Sequence, residues 1–258
     1  MKYVDEYRDG KMAQQIAKHI HQAVDKSKTY HFMEFCGGHT HAIFRYGIPD
    51  LLPKNIKMIH GPGCPVCILP VARIDSAIEL AVDHGVILCS YGDMMRVPGS
   101  RRRSLLKAKD EGADIRMVYS CTDALAIAKD NPDKQVVFFA IGFETTTPST
   151  ALTLQQAKRE EIGNFSVFCN HITVPPPIKA LLDDPHMVLD GFVGPGHVSM
   201  VIGVHPYDFI AEDYGKPIVV AGFEPLDLLQ SVLMVLEQIR DGRAEVQNQY
   251  ARVVPEHG

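Results

Sequence analysis

The chain has 258 residues, of which 46% are hydrophobic and 22% charged, as in an ordinary globular protein with a sizeable core. Its net charge of −5 excludes the strongly basic footprint of a nucleic-acid-binding domain, although Arg101–Arg103 form a local basic run. The longest apolar run, Val136–Ile141, is too short to span a bilayer, and the charged N-terminus lacks a signal-peptide core. We therefore expect a cytoplasmic protein whose partners are neither nucleic acid nor membrane.

Short apolar strands alternate with helical segments along the chain. Apolar residues recur every four positions from Met12 to Val24 and predict an amphipathic first helix. The predicted strands are residues 30–35, 56–60, 86–90, 114–119, 135–141, 165–170, 189–193 and 217–221. Helical periodicity lies between most of them, as at residues 71–82, 122–129 and 151–159, and a final periodic stretch at 226–239 follows the last strand. This alternation predicts an α/β fold with parallel sheets and helices on both faces.

We expect two α/β domains of similar size. Asn131-Pro132-Asp133 is the strongest central break and leaves four predicted strands on each side. The predicted domains are therefore residues 1–131 and 132–258. In open parallel sheets, ligands bind beyond the carboxyl ends of the strands. The residues that directly follow each strand are accordingly the candidates for function.

The segment GPGCPVC at residues 61–67 follows the second predicted strand and holds Cys64 and Cys67 at C-x-x-C spacing. In a cytosolic chain, clustered cysteines are more often metal-binding or redox-active than disulfide-bonded. If the loop runs into a helix, the helix N-terminus lowers the pKa of a thiol there. A redox dithiol, a metal site and two small buried residues in a turn are the three interpretations of this pair.

The segment CGGHTH at residues 36–41 follows the first predicted strand. Thiolate and imidazole are good ligands for iron, zinc or copper, and Gly37 and Gly38 would let the backbone fold tightly around a small ligand. Alternatively, Cys36 is a buried strand-end residue and His39 a polar helix cap. A closed zinc site could be drawn from this segment and the C-x-x-C pair, but an open site fits better in a fold with a large core of its own.

Two later strand ends carry further candidates. In GFETTTP, residues 142–148, a threonine N-cap followed by proline predicts a helix start, which leaves Glu144 as a strand-end carboxylate able to bind a metal, a water or an amine. His197 follows Gly-Pro-Gly. A functional and a structural interpretation are open for both Glu144 and His197. The three isolated cysteines are predicted to be core residues: Cys89, Cys121 and Cys169.

Several of these segments resemble the motifs of the HypD family of [NiFe] hydrogenase maturation proteins. The matching segments are FCGGHTH at 35–41, GPGCPVC at 61–67, GFETT at 142–146 and PGHVS at 195–199. The resemblance covers the whole chain, including RVPG at 96–99 and VAGFEP at 220–225. It implies a fold of two Rossmann-like domains, with mainly parallel sheets flanked by helices, that face each other across a cleft.

The resemblance also implies a function. The family is a scaffold on which the Fe(CN)2CO group is built, so iron and carbon monoxide binding are expected. The implied partner is HypC. HypE is the implied cyanide donor, and its cyanide is made from a carbamoyl group by HypF. The hydrogenase large subunit is an indirect partner. Cys36 would be the iron ligand, completed by a cysteine of HypC, and Cys64 and Cys67 the redox-active dithiol. The implied site also includes His39, His197 and Glu144 as catalytic residues and Gly37, Gly38, Thr145, Thr146 and Ser199 as binding residues.

One departure from the family and two alternative functions complete the expectations. The family continues into a region where four further cysteines bind a [4Fe–4S] cluster, and we expect no such cluster in this chain.

A thiol–disulfide oxidoreductase would use Cys64 and Cys67 but has no need of Cys36 beside Gly-Gly-His. A zinc-dependent hydrolase would need three firm ligands, taken from Cys36, His39 and Glu144. An assembly scaffold, rather than an enzyme with turnover, is the favoured interpretation.

Overall fold

The computed structural model describes residues 5–255, and their strands pair in parallel throughout. Strands buried on both faces read as nearly continuous apolar runs, as the fully buried fifth strand does. The strands are β1 (Tyr30–Glu34), β2 (Ile56–His60), β3 (Ile87–Ser90), β4 (Ile115–Met117), β5 (Val136–Gly142), β6 (Phe165–His171), β7 (Gly191–Pro195), β8 (Ile218–Ala221) and β9 (Val246–Asn248).

Helices occupy most of the connections between these strands. They are α1 (Gly10–Ala23), α2 (Gly37–Arg45), α3 (Ile48–Leu51), α4 (Pro65–Ile68), α5 (Val71–Val82), α6 (Leu105–Asp110), α7 (Cys121–Asp130), α8 (Thr147–Arg159), α9 (Pro175–Leu182), α10 (Gly196–Ile202), α11 (Asp208–Glu212) and α12 (Pro225–Arg240). Short 3-10 turns lie at Asp5–Arg8, Gly92–Arg96, Ser100–Arg102 and His205–Tyr207. Within residues 5–255, every helix is too short or too polar to cross a membrane.

The chain forms two compact units, and the second is an insertion in the first. Unit 1 runs up to Gly63 and resumes at Val174, whereas unit 2 is Cys64–Thr173. The predicted break at 131/132 does not coincide with this division. It lies between α7 and β5, and α7 packs on β5, which pairs with β3 and β6 in the same sheet. The Asn-Pro-Asp turn therefore joins neighbours within one unit, while β7 returns to pair with β1.

The five-stranded sheet of unit 1 has the order β2-β1-β7-β8-β9. Its core packs α1 and α12 against β1 and β8, with Ile20, Phe32, Leu229 and Val219 fully buried. Asp9 caps α1 by accepting hydrogen bonds from the N–H groups of the first turn. This order makes β2 an edge strand, with β1 beside it and β7 at the centre of the sheet.

The four-stranded sheet of unit 2 has the order β4-β3-β5-β6. Alternate residues of β5 face two separate cores: Phe139 packs with α5 and α6, and Phe138 with α7 and α8. Helices thus cover both faces, which confirms the predicted fold class of parallel sheets flanked by helices. All eight predicted strands form; β9 escaped prediction because its sequence, Val-Gln-Asn, has no apolar run.

Burial separates the three isolated cysteines. Cys89 and Cys121 are buried in the core of unit 2, as predicted. Cys169 is exposed, so its predicted place in the core was wrong. The reason is the position of its strand, because β6 is the edge of its sheet.

Candidate functional site

Cys36 stands at the junction of β1 and α2, where it is the N-cap residue of the helix. The parallel pairing of β1 with β2 brings the GPG turn of residues 61–63 against this junction. The N–H of Gly37 donates to the carbonyl of Gly63 at 3.0 Å. A Cβ at Gly63 would lie 2.6 Å from the nitrogen of Gly37 and 2.8 Å from that of Cys36, so only glycine permits this approach.

Glu34 fixes the backbone at the Cys36 junction through hydrogen bonds, and sequence reasoning missed this residue. Its carboxylate is fully buried and accepts hydrogen bonds from the N–H of Cys36 at 2.8 Å and from the hydroxyl of Thr40. His60, the last residue of β2, donates from Nδ1 to the same carboxylate at 2.6 Å. The signal in the sequence was an acidic residue at the end of a strand, almost directly before the CGGHTH segment.

The Cys36 thiol is half-buried, and this burial raises its pKa. The N–H groups of His39 and Gly38, at the start of α2, act in the opposite direction, and the negative charge of Glu34 adds to the increase. Burial outweighs the helix N–H groups, so the protonated thiol is favoured. A bound cation would reverse this balance.

His39 is fully buried, and burial lowers its pKa to about 4. Its Nε2 donates to the carbonyl of Ala221 at 3.2 Å, while Nδ1 is buried with no hydrogen-bond partner among the described residues. His39 is therefore neither exposed nor a helix cap, since Cys36 occupies the cap position. The ring is a neutral imidazole at physiological pH.

Phe223 joins the two predicted histidines. Its ring centroid lies 4.6 Å from that of His39 and 3.9 Å from that of His197, the latter in a stacked arrangement. His197 is exposed, and desolvation against its neighbours lowers its pKa. A Cβ at Gly38 would lie 2.9 Å from the Phe223 ring, which explains this glycine by packing. Phe223 contacts both histidines, and sequence reasoning gave it no role beyond its place in the VAGFEP segment.

Other predicted residues of unit 1 occupy different positions. Ser199 is fully buried, and its hydroxyl donates to the carbonyl of Pro195 at 2.8 Å, a bond within the start of α10. Gly37 and His41 are exposed. The GFEP turn at residues 222–225 is held by the buried Asp227, which binds Arg252 through two hydrogen bonds of 2.8 and 2.6 Å.

The C-x-x-C pair lies at the start of unit 2, where Cys64 is the N-cap residue of α4 and Cys67 lies within it. Both are free thiols; Cys64 is half-buried and Cys67 exposed. A hydrogen bond with the Cys64 sulfur is the main cause that raises the pKa of Cys67, with burial second. The two thiols therefore lie within hydrogen-bonding reach of each other.

A cavity of about 290 Å³ in unit 2 adjoins this pair. It is lined by Pro65 and Val66 of α4, by Asp93, and by Thr145 and Thr146. Glu144 is buried and does not line it. Thr146 is the N-cap residue of α8 as predicted, but its hydroxyl donates back to the carbonyl of Phe143 at 2.9 Å.

Metal-ligating side chains are spread over these positions. Among residues 5–255, no three His, Cys, Asp or Glu side chains converge so that they could hold a metal ion. Within unit 1, Cys36 and His39 lie at the start of α2, and the ring of Phe223 contacts the rings of both His39 and His197. Within unit 2, Pro65 and Val66, which lie between Cys64 and Cys67, line one cavity together with Thr145 and Thr146.

Comparison with known proteins gives one consistent result. Residues 11–258 match the family described as "HypD: Hydrogenase formation hypA family". The protein named hydrogenase maturation factor HypD in Rhodobacter capsulatus is 66% identical and covers 100% of this chain, which spans 70% of that protein. The protein of the same name in Rhizobium leguminosarum is 61% identical over 98% of this chain, which spans 68% of that protein. The one in Escherichia coli is 53% identical over 100% of this chain, which spans 70% of that protein. A solved structure from Vibrio cholerae is 11% identical over 90% of this chain and 97% of its own, with a TM-score of only 0.17.

Proposed function

Since the chain belongs to the HypD family and is a hydrogenase maturation factor, we propose that it is a scaffold for assembly of the Fe(CN)2CO group of [NiFe] hydrogenase. The observation that supports this most is the Cys36 junction. A thiol stands at a helix N-terminus, on a backbone fixed by a buried carboxylate. Such a thiol is held in one place, and the backbone N–H groups of Gly38 and His39 face its sulfur.

In this proposal Cys36 binds the iron that is being modified, which is the substrate of the scaffold. On binding, the S–H bond breaks, the proton leaves to solvent, and the thiolate sulfur donates its electron pair to the metal. The positive charge of iron offsets the desolvation that otherwise raises the pKa of Cys36. The N–H groups of Gly38 and His39 support the thiolate that forms.

Partners complete the site. HypC contributes a second thiolate to the iron, HypE delivers the cyanide ligands, and the hydrogenase large subunit receives the product indirectly. The neutral imidazoles of His39 and His197 act as polar, uncharged neighbours that do not repel a cation. Glu144, Thr145 and Thr146 are proposed as the polar groups of unit 2 that serve the same assembly.

Cys64 and Cys67 serve as the redox couple of the scaffold. Thiol–disulfide exchange with a partner disulfide breaks the two S–H bonds and forms the Cys64–Cys67 bond, while the partner's S–S bond breaks and takes up the two electrons and two protons as a dithiol. Exchange with a partner dithiol reverses the step. The hydrogen bond between the two thiols supports this role, because a disulfide then needs little backbone movement. The alternative function, a plain thiol–disulfide oxidoreductase, would use the same pair and leave Cys36 without a role.

The test is the infrared spectrum and iron content of the chain purified anaerobically with HypC. We expect bands of iron-bound carbon monoxide and cyanide, and their loss with the iron in Cys36→Ala. Cys169→Ala, which removes an exposed thiol on the edge strand β6, is the matched control and should keep both. Gel filtration verifies that each variant still binds HypC. Iron retained by Cys36→Ala, or a complex without these bands, would contradict the proposal.

A further inference from the structure

We propose that the free edge of β2, with the groove beside it, docks an extended acidic segment of a partner protein. This inference rests on the proposed function for the reason to need a partner at Cys36, and it adds where and how that partner binds. This surface consists of β2 itself and a groove whose lining includes Phe44, Leu52, Lys54, Lys57, Met58 and His60. Its backbone, its apolar lining and its charge each favour the same occupant.

The backbone of β2 offers hydrogen bonds on its outer side. Asn55 accepts from the N–H of Tyr30, and the N–H of Gly61 donates to Glu34, so both point toward β1. Because backbone groups alternate in direction along a strand, Met58 and His60 point their N–H and C=O groups away from β1. In the described part of the chain, β1 is the sole strand neighbour of β2. Such an edge accepts an added strand.

A groove of about 420 Å³ runs along this strand. Its apolar lining includes Phe44, Leu52 and Met58. Phe44 is 65% exposed, although it is a large aromatic side chain, and its ring lies 5.1 Å from that of His60. A side chain inserted beside Phe44 would remove this apolar surface from water, which is the usual source of affinity at such contacts.

The charge of the groove selects an acidic occupant. Lys54, Lys57 and His60 line it, and the residues that line it include no carboxylate within residues 5–255. The chain as a whole carries a net charge of −5, so this basic surface differs in sign from the rest. Complementary charge raises the association rate and fixes the register of a docked segment.

Two other kinds of occupant fit less well. A second copy of this chain paired edge to edge would bring Lys54 and Lys57 of both copies together, because a two-fold contact joins identical surfaces. A helix has its backbone groups already bonded internally, so it would leave the outward groups of Met58 and His60 without partners. An extended segment with acidic side chains meets both requirements.

The position of β2 connects docking to Cys36. The strand leads into Gly61–Gly63, and Gly63 lies against the backbone of Cys36. His60, at the end of the strand, is bonded to Glu34, which holds the N–H of Cys36. A segment that adds to β2 therefore runs to the cysteine junction and can present its own end there. This is the placement that a ligand supplied by a partner requires.

The test uses the metal-free 258-residue chain and a fluorescein-labelled heptapeptide in which glutamate alternates with valine. Fluorescence anisotropy should show saturable binding below about 1 mM. A Lys54→Glu/Lys57→Glu variant should bind about tenfold more weakly, and a peptide with lysine in place of glutamate should restore its affinity. Phe44→Ser should also bind about tenfold more weakly. Leu152→Ser, a change at a 63% exposed apolar residue of unit 2, is the matched control and should not alter binding.

Backbone pairing is tested by two further measurements. A peptide N-methylated at alternate positions should lose binding, since it cannot pair with a strand. Hydrogen exchange should show protection of the amides of Met58 and His60 on addition of the unmodified peptide. Absence of binding by the wild type, affinity unchanged by charge reversal, or protection at the opposite edge strand β9 would each overturn the inference. Because no iron is used, failure here leaves the iron result at Cys36 standing, and failure there leaves the docking result standing.

Discussion

His60 Nδ1 lies 2.6 Å from Oε1 of Glu34, and this bond joins an exposed strand edge to a fully buried carboxylate. The same carboxylate accepts the N–H of Cys36, so the histidine and the cysteine are connected through one side chain. A buried carboxylate is costly unless every lone pair is used, and here three donors share it. The conformation of the Cys36 junction therefore depends on Glu34.

Replacing Glu34 should destabilise the fold. Glu34→Leu leaves the Cys36 N–H, the Thr40 hydroxyl and the His60 ring without their acceptor, and we expect a loss of about 3 kcal/mol in the free energy of unfolding. Glu34→Gln, which keeps one acceptor oxygen, should lose less. Urea denaturation measures both. Glu212→Leu, an exposed control, should change the stability by less than about 0.5 kcal/mol. Equal stability of Glu34→Leu and the wild type would show that the buried bonds contribute nothing.

His39 should make stability depend on pH. Its pKa is about 4 in the folded state because of burial, and near the ordinary value of 6.5 when unfolded. Between these values the unfolded chain binds more protons, so stability is lost as pH falls from about 6.5 to about 4. Wild type should lose about 2 kcal/mol more than His39→Gln between about pH 7 and about pH 4.5. His171 and His197 also have lowered pKa values, but they remain in both proteins and cancel in this comparison. Parallel pH profiles of the two proteins would refute the assignment.

The residues around the site show what the sequence can predict. Strand positions follow from apolar runs with turn residues at their ends, and for that reason the CGGHTH and GPG segments could be placed at neighbouring strand ends. The role of Glu34 depends on the register of β1 and β2, which places His60 beside it across 26 positions of sequence. The contact of His39 with Ala221 spans 182 positions. Periodicity reports local structure, so contacts of this kind have no signal in a single sequence.

The division into units illustrates the same limit. A turn such as Asn131-Pro132-Asp133 marks the end of a helix, but it does not say whether the next strand joins the same sheet. The strand order does, because β5 pairs with both β3 and β6. The prediction that Cys169 lies in the core was wrong for a related reason, since its exposure depends on β6 being an edge strand.

Gly63→Ala should disturb the Cys36 junction more than it disturbs the fold. The added methyl group would lie 2.6–2.8 Å from backbone atoms of Gly37 and Cys36, which cannot rotate away. We expect a loss of about 1–3 kcal/mol in stability by urea denaturation, together with a changed rate of Cys36 alkylation. Gly163→Ala has open space around it and is the control; it should leave both measurements close to wild type. An unchanged alkylation rate in Gly63→Ala would mean that the GPG turn does not position the cysteine.

Cys64→Ala should make Cys67 more reactive. The pKa of Cys67 is raised chiefly because its thiol is hydrogen-bonded to the Cys64 sulfur, which stabilises the protonated form. Removing that partner lowers the pKa, so at about pH 8 a larger fraction of Cys67 is thiolate and alkylation by iodoacetamide is faster. Mass spectrometry of the peptide that contains Cys67 measures the rate. Cys169→Ala, which removes an exposed thiol on a different strand, should leave that rate unchanged. A slower or equal rate in Cys64→Ala would show that the two thiols do not interact, and the dithiol role proposed for them would lose its structural support.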